Sequence, residues 1–144
     1  MKISTKGRYA LRLMLELSMS ESDRPVRIRE IAEKQSISDK YLEQIISILN
    51  KAGFVRSVRG PQGGYLLTRK PSEYTVGDIL RTTEGSLAPV DCADEAILNC
   101  PRKDQCATVI IWKKIFDAVN EVVDGITLED IKAWQTSING DYCI

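Results

Sequence analysis

After Ser38, a good helix N-cap, the apolar residues Leu42, Ile45, Ile46 and Leu49 return at the three- and four-residue intervals that line one face of a helix. The positions between and around them, Lys40, Glu43, Gln44, Ser47, Asn50 and Lys51, therefore point outward, and their polar members can hydrogen-bond to base edges in a major groove. Gly53 ends this helix. Beyond it, Phe54 to Arg59 and Tyr65 to Thr68 alternate or run apolar like two short strands, joined by the turn Gly60-Pro61-Gln62-Gly63-Gly64. A reading helix followed by a basic hairpin is the local pattern of a winged helix. An ordinary amphipathic helix and hairpin in a small α+β domain is the plainer alternative.

The same periodicity predicts the neighbouring elements. Ser4 or Thr5 caps a first helix running to about Ser20, with Tyr9, Leu13, Leu17, Ala10 and Met14 forming a wide apolar face. Lys2, Lys6, Arg8 and Arg12 crowd its start, where cations oppose the helix dipole. Something outside the helix, such as phosphate, should compensate; a solvated basic face is the alternative. Ser20 to Pro25 is a polar turn, and Val26 is placed to add a short strand. Ile28 to Gln35 is a short amphipathic helix, and the gap at Ser36-Ile37 before the Ser38 cap makes the pair a helix-turn-helix with its second helix as reader. After the hairpin, Thr75 and Asp78 have capping-box spacing and open a helix to Glu84, closed by Gly85.

Ser86 to Gln105 carries no convincing period and reads as a loop of twenty residues. Ala107 to Val123 is the most hydrophobic helix of the chain, with Ile111, Ile115, Ala118 and Val122 on one face and Trp112, Phe116 and Val119 adjoining. One small domain does not cover so wide a stripe, so this helix is expected to pack against its copy in a homodimer, an intrachain core helix being the alternative. Thr127 caps a last short helix reaching about Trp134, and Gln135 to Ile144 has no strong pattern. The expected fold is mainly α with a small β-hairpin wing. Its parts are a winged helix-turn-helix over 1–84, a cysteine-containing loop over 85–106, a dimerisation helix and short C-terminal helix over 107–135, and a tail over 136–144.

A length of 144 residues at 43% apolar content suits one domain, or a small domain with an appendage. No charged-then-apolar leader opens the chain, and no apolar run approaches the roughly 20 residues of a membrane span, so a soluble cytoplasmic protein without a membrane partner is expected. The net charge of zero hides an asymmetry: residues 1–70 hold 14 Lys/Arg against 7 Asp/Glu, whereas residues 71–144 hold 6 against 13. A phosphate-binding half joined to a differently employed half would look like this. There is no histidine, no Gly-x-Ser-x-Gly elbow and no phosphate-binding glycine loop opening a helix, which argues against an enzyme. A redox-responsive interaction protein without a DNA target is the other rival class.

Cys92, Cys100 and Cys106 form a C-x7-C-x5-C pattern inside the irregular loop. A zinc site usually contains a closer cysteine pair. Wider spacings suit an iron–sulfur cluster, whose irons are reached from separate turns. A thiol redox switch, or three unrelated loop thiols, would give the same pattern.

Taken together, these residues resemble the Rrf2 family of bacterial winged-helix regulators, and within it the iron–sulfur-cluster regulators. The resemblance runs to about Trp134. It rests on Ser4-Thr5-Lys6-Gly7-Arg8-Tyr9-Ala10, Ile37-Ser38 with Tyr41-Leu42-Glu43-Gln44, Arg59-Gly60-Pro61, Gly63-Gly64-Tyr65-Leu66-Leu67, Val76-Gly77-Asp78-Ile79, and the three cysteines followed by Trp112. It implies a homodimeric repressor whose long helices pair and whose winged helices read palindromic double-stranded DNA. It also implies that Cys92, Cys100 and Cys106 hold an iron–sulfur cluster, 2Fe–2S ahead of 4Fe–4S. Glu43 and Gln44 would meet bases, Arg59 would enter the minor groove, and Lys6, Arg8, Tyr9, Ser38 and Lys40 would hold phosphates. Gly60, Gly63 and Gly64 would let the wing backbone approach DNA. A carboxylate accepts from cytosine and repels phosphate, so Glu43 would discriminate between sites rather than add affinity.

The chain departs from the pattern of the cluster regulators at Val109, where they carry a histidine ligand. Nitric-oxide sensors of the family use an acidic residue near the start of the partner's first helix, and the matching position here is Arg8, which cannot ligate. Asp91, Asp94, Glu95, Asp104, the tail thiol Cys143 or a small exogenous molecule are the remaining fourth ligands. The first ten residues and the end Asp141-Tyr142-Cys143-Ile144 also resemble the family's cysteine-metabolism regulators, whose partner is cysteine synthase. That branch implies a thiol switch in place of a cluster, with the Ile144 terminus inserted in the enzyme.

Overall fold

Ser4, Ser38, Thr75 and Thr127 each accept, through a side-chain oxygen, the backbone N–H three residues on, and a helix starts after each of them. In the computed structural model, which describes residues 1–20, 23–96 and 100–141, the order is α1 (Thr5–Met19), α2 (Ile28–Gln35), α3 (Asp39–Lys51), β1 (Val55–Val58), β2 (Gly64–Leu67), α4 (Val76–Glu84), α5 (Thr108–Asp124) and α6 (Leu128–Asp141). Short 3-10 turns lie at Pro71–Glu73, Asp91–Ala93 and Lys103–Gln105. The strands pair antiparallel with Val55 opposite Leu67 and Val58 opposite Gly64. Val26 bridges to Tyr65 on the other side, the added strand that its place after the polar turn leads one to expect. The fold is therefore mainly helical with one hairpin. Tyr142, Cys143 and Ile144 lie outside the described residues, and with them the expected tail contacts.

The core is built on one face of each of the first three helices. Leu42, Ile45, Ile46 and Leu49 of α3 are all buried, against Ala10, Leu13, Met14 and Leu17 of α1 and Ile31 of α2. Each such aliphatic side chain contributes about 1.5–3 kcal/mol as an upper figure. Tyr74, fully buried, closes the base of the hairpin. Its hydroxyl donates to the Phe54 carbonyl at 2.7 Å and accepts the N–H groups of Thr68 and Arg69, each at 3.0 Å. The end of β2 is thereby held to the start of β1.

The dipole of α1 finds its counter-charge inside the chain. The Glu84 carboxylate, at the end of α4, accepts from the N–H of Ser4 and of Gly7, each at 3.1 Å, and from the Ser4 hydroxyl. The compensation expected from outside the helix is thus supplied by a carboxylate of the same chain. Gly7 has no side chain because a Cβ there would fall on that carboxylate.

α4 and α6 begin side by side. Thr75 and Thr127 form an antiparallel bridge, with Val76 N–H donating to the Ile126 carbonyl and Leu128 N–H to the Tyr74 carbonyl, both at 2.9 Å. Leu128 is thus fully buried in the core of the winged helix. α6 runs to Asp141 rather than stopping near Trp134. Its second half has no apolar repeat facing the core, but the Gln135 amide donates to Asn139 at 2.9 Å, a pair one turn apart that supports the helix.

α5 packs on α4 through Phe116, Val119 and Val123, beside Val76, Leu80 and Leu87. A clamp fixes the angle between them: Arg81 donates to both Asp124 oxygens at 2.7 and 2.9 Å and to Asn120 at 2.7 Å. This bidentate pair lowers the Asp124 pKa and raises that of Arg81. The other side of α5 has no cover within the described chain, with Ile111 at 52% and Val122 at 59% exposure. Among the described residues no helix is long and apolar enough to cross a membrane.

Candidate nucleic-acid interface and cysteine loop

With Leu42, Ile45, Ile46 and Leu49 buried and Ile48 half-buried, α3 leaves Lys40, Glu43, Gln44, Ser47, Asn50 and Lys51 exposed, the set the periodicity predicts. Ser38 sits at its N-cap with the oxygen engaged by Tyr41 N–H at 3.1 Å, so its hydroxyl hydrogen can still donate to a phosphate. The Tyr9 and Tyr41 rings meet edge to face at 5.7 Å, which sets the start of α1 beside the first turn of α3. Lys6, half-buried, and Arg8, exposed, lie on that start. Neither they, nor Lys40, nor Arg59 pairs with a carboxylate among the described residues. Arg12 is different. Its guanidinium lies over the Tyr9 ring and donates to the Gln35 side chain at 2.7 Å and carbonyl at 2.8 Å, which ties α1 to the end of α2.

The hairpin carries Arg59 exposed at its turn and Gly60 at φ 110°, a conformation that favours glycine. Gly63 and Gly64 have reasons within the chain. A Cβ on the buried Gly63 would fall on the Val58 carbonyl, and one on Gly64 would come within 2.5 Å of the Val26 carbonyl. They allow the turn to close and Val26 to pair with Tyr65. Arg27 was not singled out in the sequence; its guanidinium donates to the Pro61 carbonyl and pins the hairpin turn to the start of α2. That bond spans 34 positions and leaves no local signal.

The loop after α4 packs against the first half of α5. Glu95 takes a hydrogen bond from Lys113 at 2.8 Å, which lowers the Glu95 pKa and raises that of Lys113. Asp94 accepts from the Ser86 hydroxyl at 2.6 Å and from Ala96 N–H at 3.0 Å. Of the carboxylates considered as ligands, Asp94 and Glu95 are thus engaged in holding the loop, whereas Asp91 is exposed and Asp104 likewise. Cys92 is half-buried, and Cys100 and Cys106 are exposed free thiols. Cys106, just before α5, lies 3.1 Å from the Thr108 hydroxyl. That hydrogen bond first, then the Val109 backbone, pulls its pKa below the ordinary thiol range.

Three thiols match an iron–sulfur cluster in kind. In position they do not: among the described residues no three Cys, Asp or Glu side chains converge as a metal site. Among the described residues the loop forms no such cage.

A helix-turn-helix with an exposed polar reader face, followed by a pinned basic hairpin, defines a winged-helix DNA-binding protein. The chain belongs to the Rrf2 family, described as iron-dependent transcriptional regulators, whose profile matches residues 3–133. It is 42% identical over 134 residues to the HTH-type transcriptional regulator CymR of Bacillus subtilis, covering 93% of this chain and 91% of that one. To the HTH-type transcriptional regulator IscR of Aliivibrio salmonicida it is 38% identical over 131 residues, covering 91% and 77%. Among solved structures it resembles CymR, the global cysteine regulator of B. subtilis, with a TM-score of 0.77 at 42% identity, covering 93% of this chain and 98% of that one. It resembles T. potens IscR with a TM-score of 0.74 at 43% identity, covering 91% and 85%. The chain is a transcriptional regulator and not an enzyme.

Proposed function

We propose that this regulator is a dimeric repressor that reads a palindromic operator with α3 and answers to the state of its cysteine loop. The observation that carries the reading is α3 itself, one side of which is locked into the core while Lys40, Glu43, Gln44 and Ser47 stay exposed beside Lys6 and Arg8, which pair with no carboxylate among the described residues. Glu43 and Gln44 read base edges, with Glu43 rejecting unsuited sites; Arg59 at the wing reaches the minor groove; Lys6, Arg8, Tyr9, Ser38 and Lys40 hold phosphates. Gly60 leaves the wing turn slim enough to approach the duplex. The uncovered face of α5, with Ile110, Ile111 and Val122, takes its own copy in a two-fold contact, which sets the two reading heads on symmetric half-sites.

In this reading the loop gathers Cys92, Cys100 and Cys106 around an iron–sulfur cluster, 2Fe–2S ahead of 4Fe–4S. The three soft donors within fifteen residues and the iron dependence in the family description support it. When bound, the cluster supplies a redox-active iron centre. The chain's part is to bring the thiolates together, with Asp91 or Asp104 free to supply the fourth donor. A second reading, a thiol switch of the cysteine-regulator kind with cysteine synthase docked on the Ile144 end, is favoured by the lowered pKa of Cys106.

The experiment is anaerobic isolation with iron and sulfide analysis, followed by gel shifts of both forms on a palindromic promoter fragment. Brown protein with bound iron and sulfide, lost in Cys92→Ala, supports the cluster; colourless protein with titratable thiols replaces it with the switch. Glu43→Ala should change which sites are bound, and Arg59→Ala should weaken binding by about 1–3 kcal/mol across sites. Unchanged site preference in Glu43→Ala would remove α3 as the reader.

A further inference from the structure

We propose that a cationic cleft behind the hairpin binds a small dianion and passes its occupancy to the wing. The cleft, about 530 Å³, lies where the end of α1, the last residues of β2, the turn at Pro71–Glu73 and α6 meet. Its volume is in the range of small-molecule sites, roughly 300–1,000 Å³. Arg56, Arg69, Lys70 and Lys132 line it, and none of them pairs with a carboxylate among the described residues. Asp23 and Glu73 line it as well, and Glu73 is committed to the Lys70 backbone N–H at 2.9 Å. Among the described residues, four cations and two carboxylates line it, an excess of two positive charges, which one doubly charged anion neutralises.

The cleft does not belong to the reading surface. Lys6 and Arg8 stand in the first turns of α1, whereas Leu17 and Ser18, which line the cleft, stand in its last turn, roughly 15 Å further along the axis. It touches the wing instead, through Arg56, Leu66 and Leu67 of its strands and through Arg69 beyond them. The Arg69 guanidinium lies 5.2 Å from the centre of the Phe54 ring and 5.4 Å from that of Tyr74, and the residue's N–H donates to the Tyr74 hydroxyl that also holds Phe54. An anion that engages Arg69 therefore acts on a residue stacked over and bonded to Tyr74, whose hydroxyl holds the two strands together at the base of the hairpin. The ligand is a molecule with a phosphate or with two carboxylates, and it acts independently of the cysteine loop.

The test is isothermal titration of the full-length protein with inorganic phosphate and, separately, with succinate, at ionic strength matched with chloride. One of the two should bind at one per chain, with affinity at least tenfold weaker in Lys132→Glu and in the exposed-strand variant Arg56→Gln. Tighter binding of phosphate assigns a phosphorylated ligand, and tighter binding of succinate a dicarboxylate. At saturation that anion should change operator affinity at least fivefold in the wild type and leave both variants unchanged. Absence of binding in the wild type, equal binding in the variants, or unchanged operator affinity at saturation overturns the proposal. So does a loss of operator affinity in either variant without anion, which would make these cations part of the DNA surface.

Discussion

Removing one oxygen atom from the core, in Tyr74→Phe, tests how the hairpin is held. The change keeps the ring, its edge-to-face contact with Phe54 at 5.6 Å and its place under Arg69, so no cavity opens. What goes is a hydroxyl that donates to the Phe54 carbonyl and accepts from two N–H groups. The Thr68 N–H retains a second acceptor, the Phe54 carbonyl at 3.3 Å, whereas the Arg69 N–H has no other among the described residues. One lost buried bond at about 1 kcal/mol and one stranded donor at about 1–2 kcal/mol give a destabilisation of about 2–3 kcal/mol. For a chain of this length that lowers Tm by about 4–12 °C. Calorimetry measures it directly. Gel shifts should show weaker operator binding with unchanged site preference, because α3 does not touch the hydroxyl. A Tm within about 1 °C of wild type would refute the reasoning, since it would mean water takes over all three bonds.

Three further outcomes are expected. Val122→Glu, on the uncovered face of α5, should shift sedimentation from dimer to monomer and cost operator affinity, while the Tm of the monomer stays near that of wild type. If each subunit neutralises three or four phosphates, the logarithm of operator affinity should fall against that of salt with a slope of about −5 to −7, read from titrations between 50 and 200 mM. The Arg81 clamp lowers the pKa of folded Asp124 below its unfolded value, so its stabilisation is complete above the ordinary aspartate range near 3.8 and is lost as pH falls through the lower folded value. Asp124→Asn should therefore be less stable than wild type at neutral pH, and the gap should close in acid melts below about pH 4.

Where the chain's pattern is periodic, it told the fold. The four apolar positions of α3 that recur on one face, Leu42, Ile45, Ile46 and Leu49, are the ones that are buried, and the cap at Ser38 and the box at Thr75 and Asp78 act as their spacing implies. The shortfalls have one cause, contact between residues distant in sequence. Glu84 closes α1 from 77 positions away from Gly7, so cations at that helix start looked as if they awaited phosphate. Tyr74 stood alone in a polar stretch, with nothing nearby to suggest a bond to Phe54. The second half of α6 is polar and therefore silent to a search for apolar repeats, although Trp134 and Ile138, 55% and 52% exposed, follow one another at helical spacing. In the cysteine loop the donors were legible, but their convergence depends on a loop conformation no spacing encodes.

The bridge between Thr75 and Thr127 limits how such proteins are cut and recombined. Leu128 fills the interior of the reading head although it follows the sensing loop and α5, so a fragment ending at Gly85 loses a core side chain and the neighbour strand that seats Tyr74. Chimaeras that join one regulator's operator specificity to another's signal should inherit Ile126 to Leu128 from the parent that supplies the head.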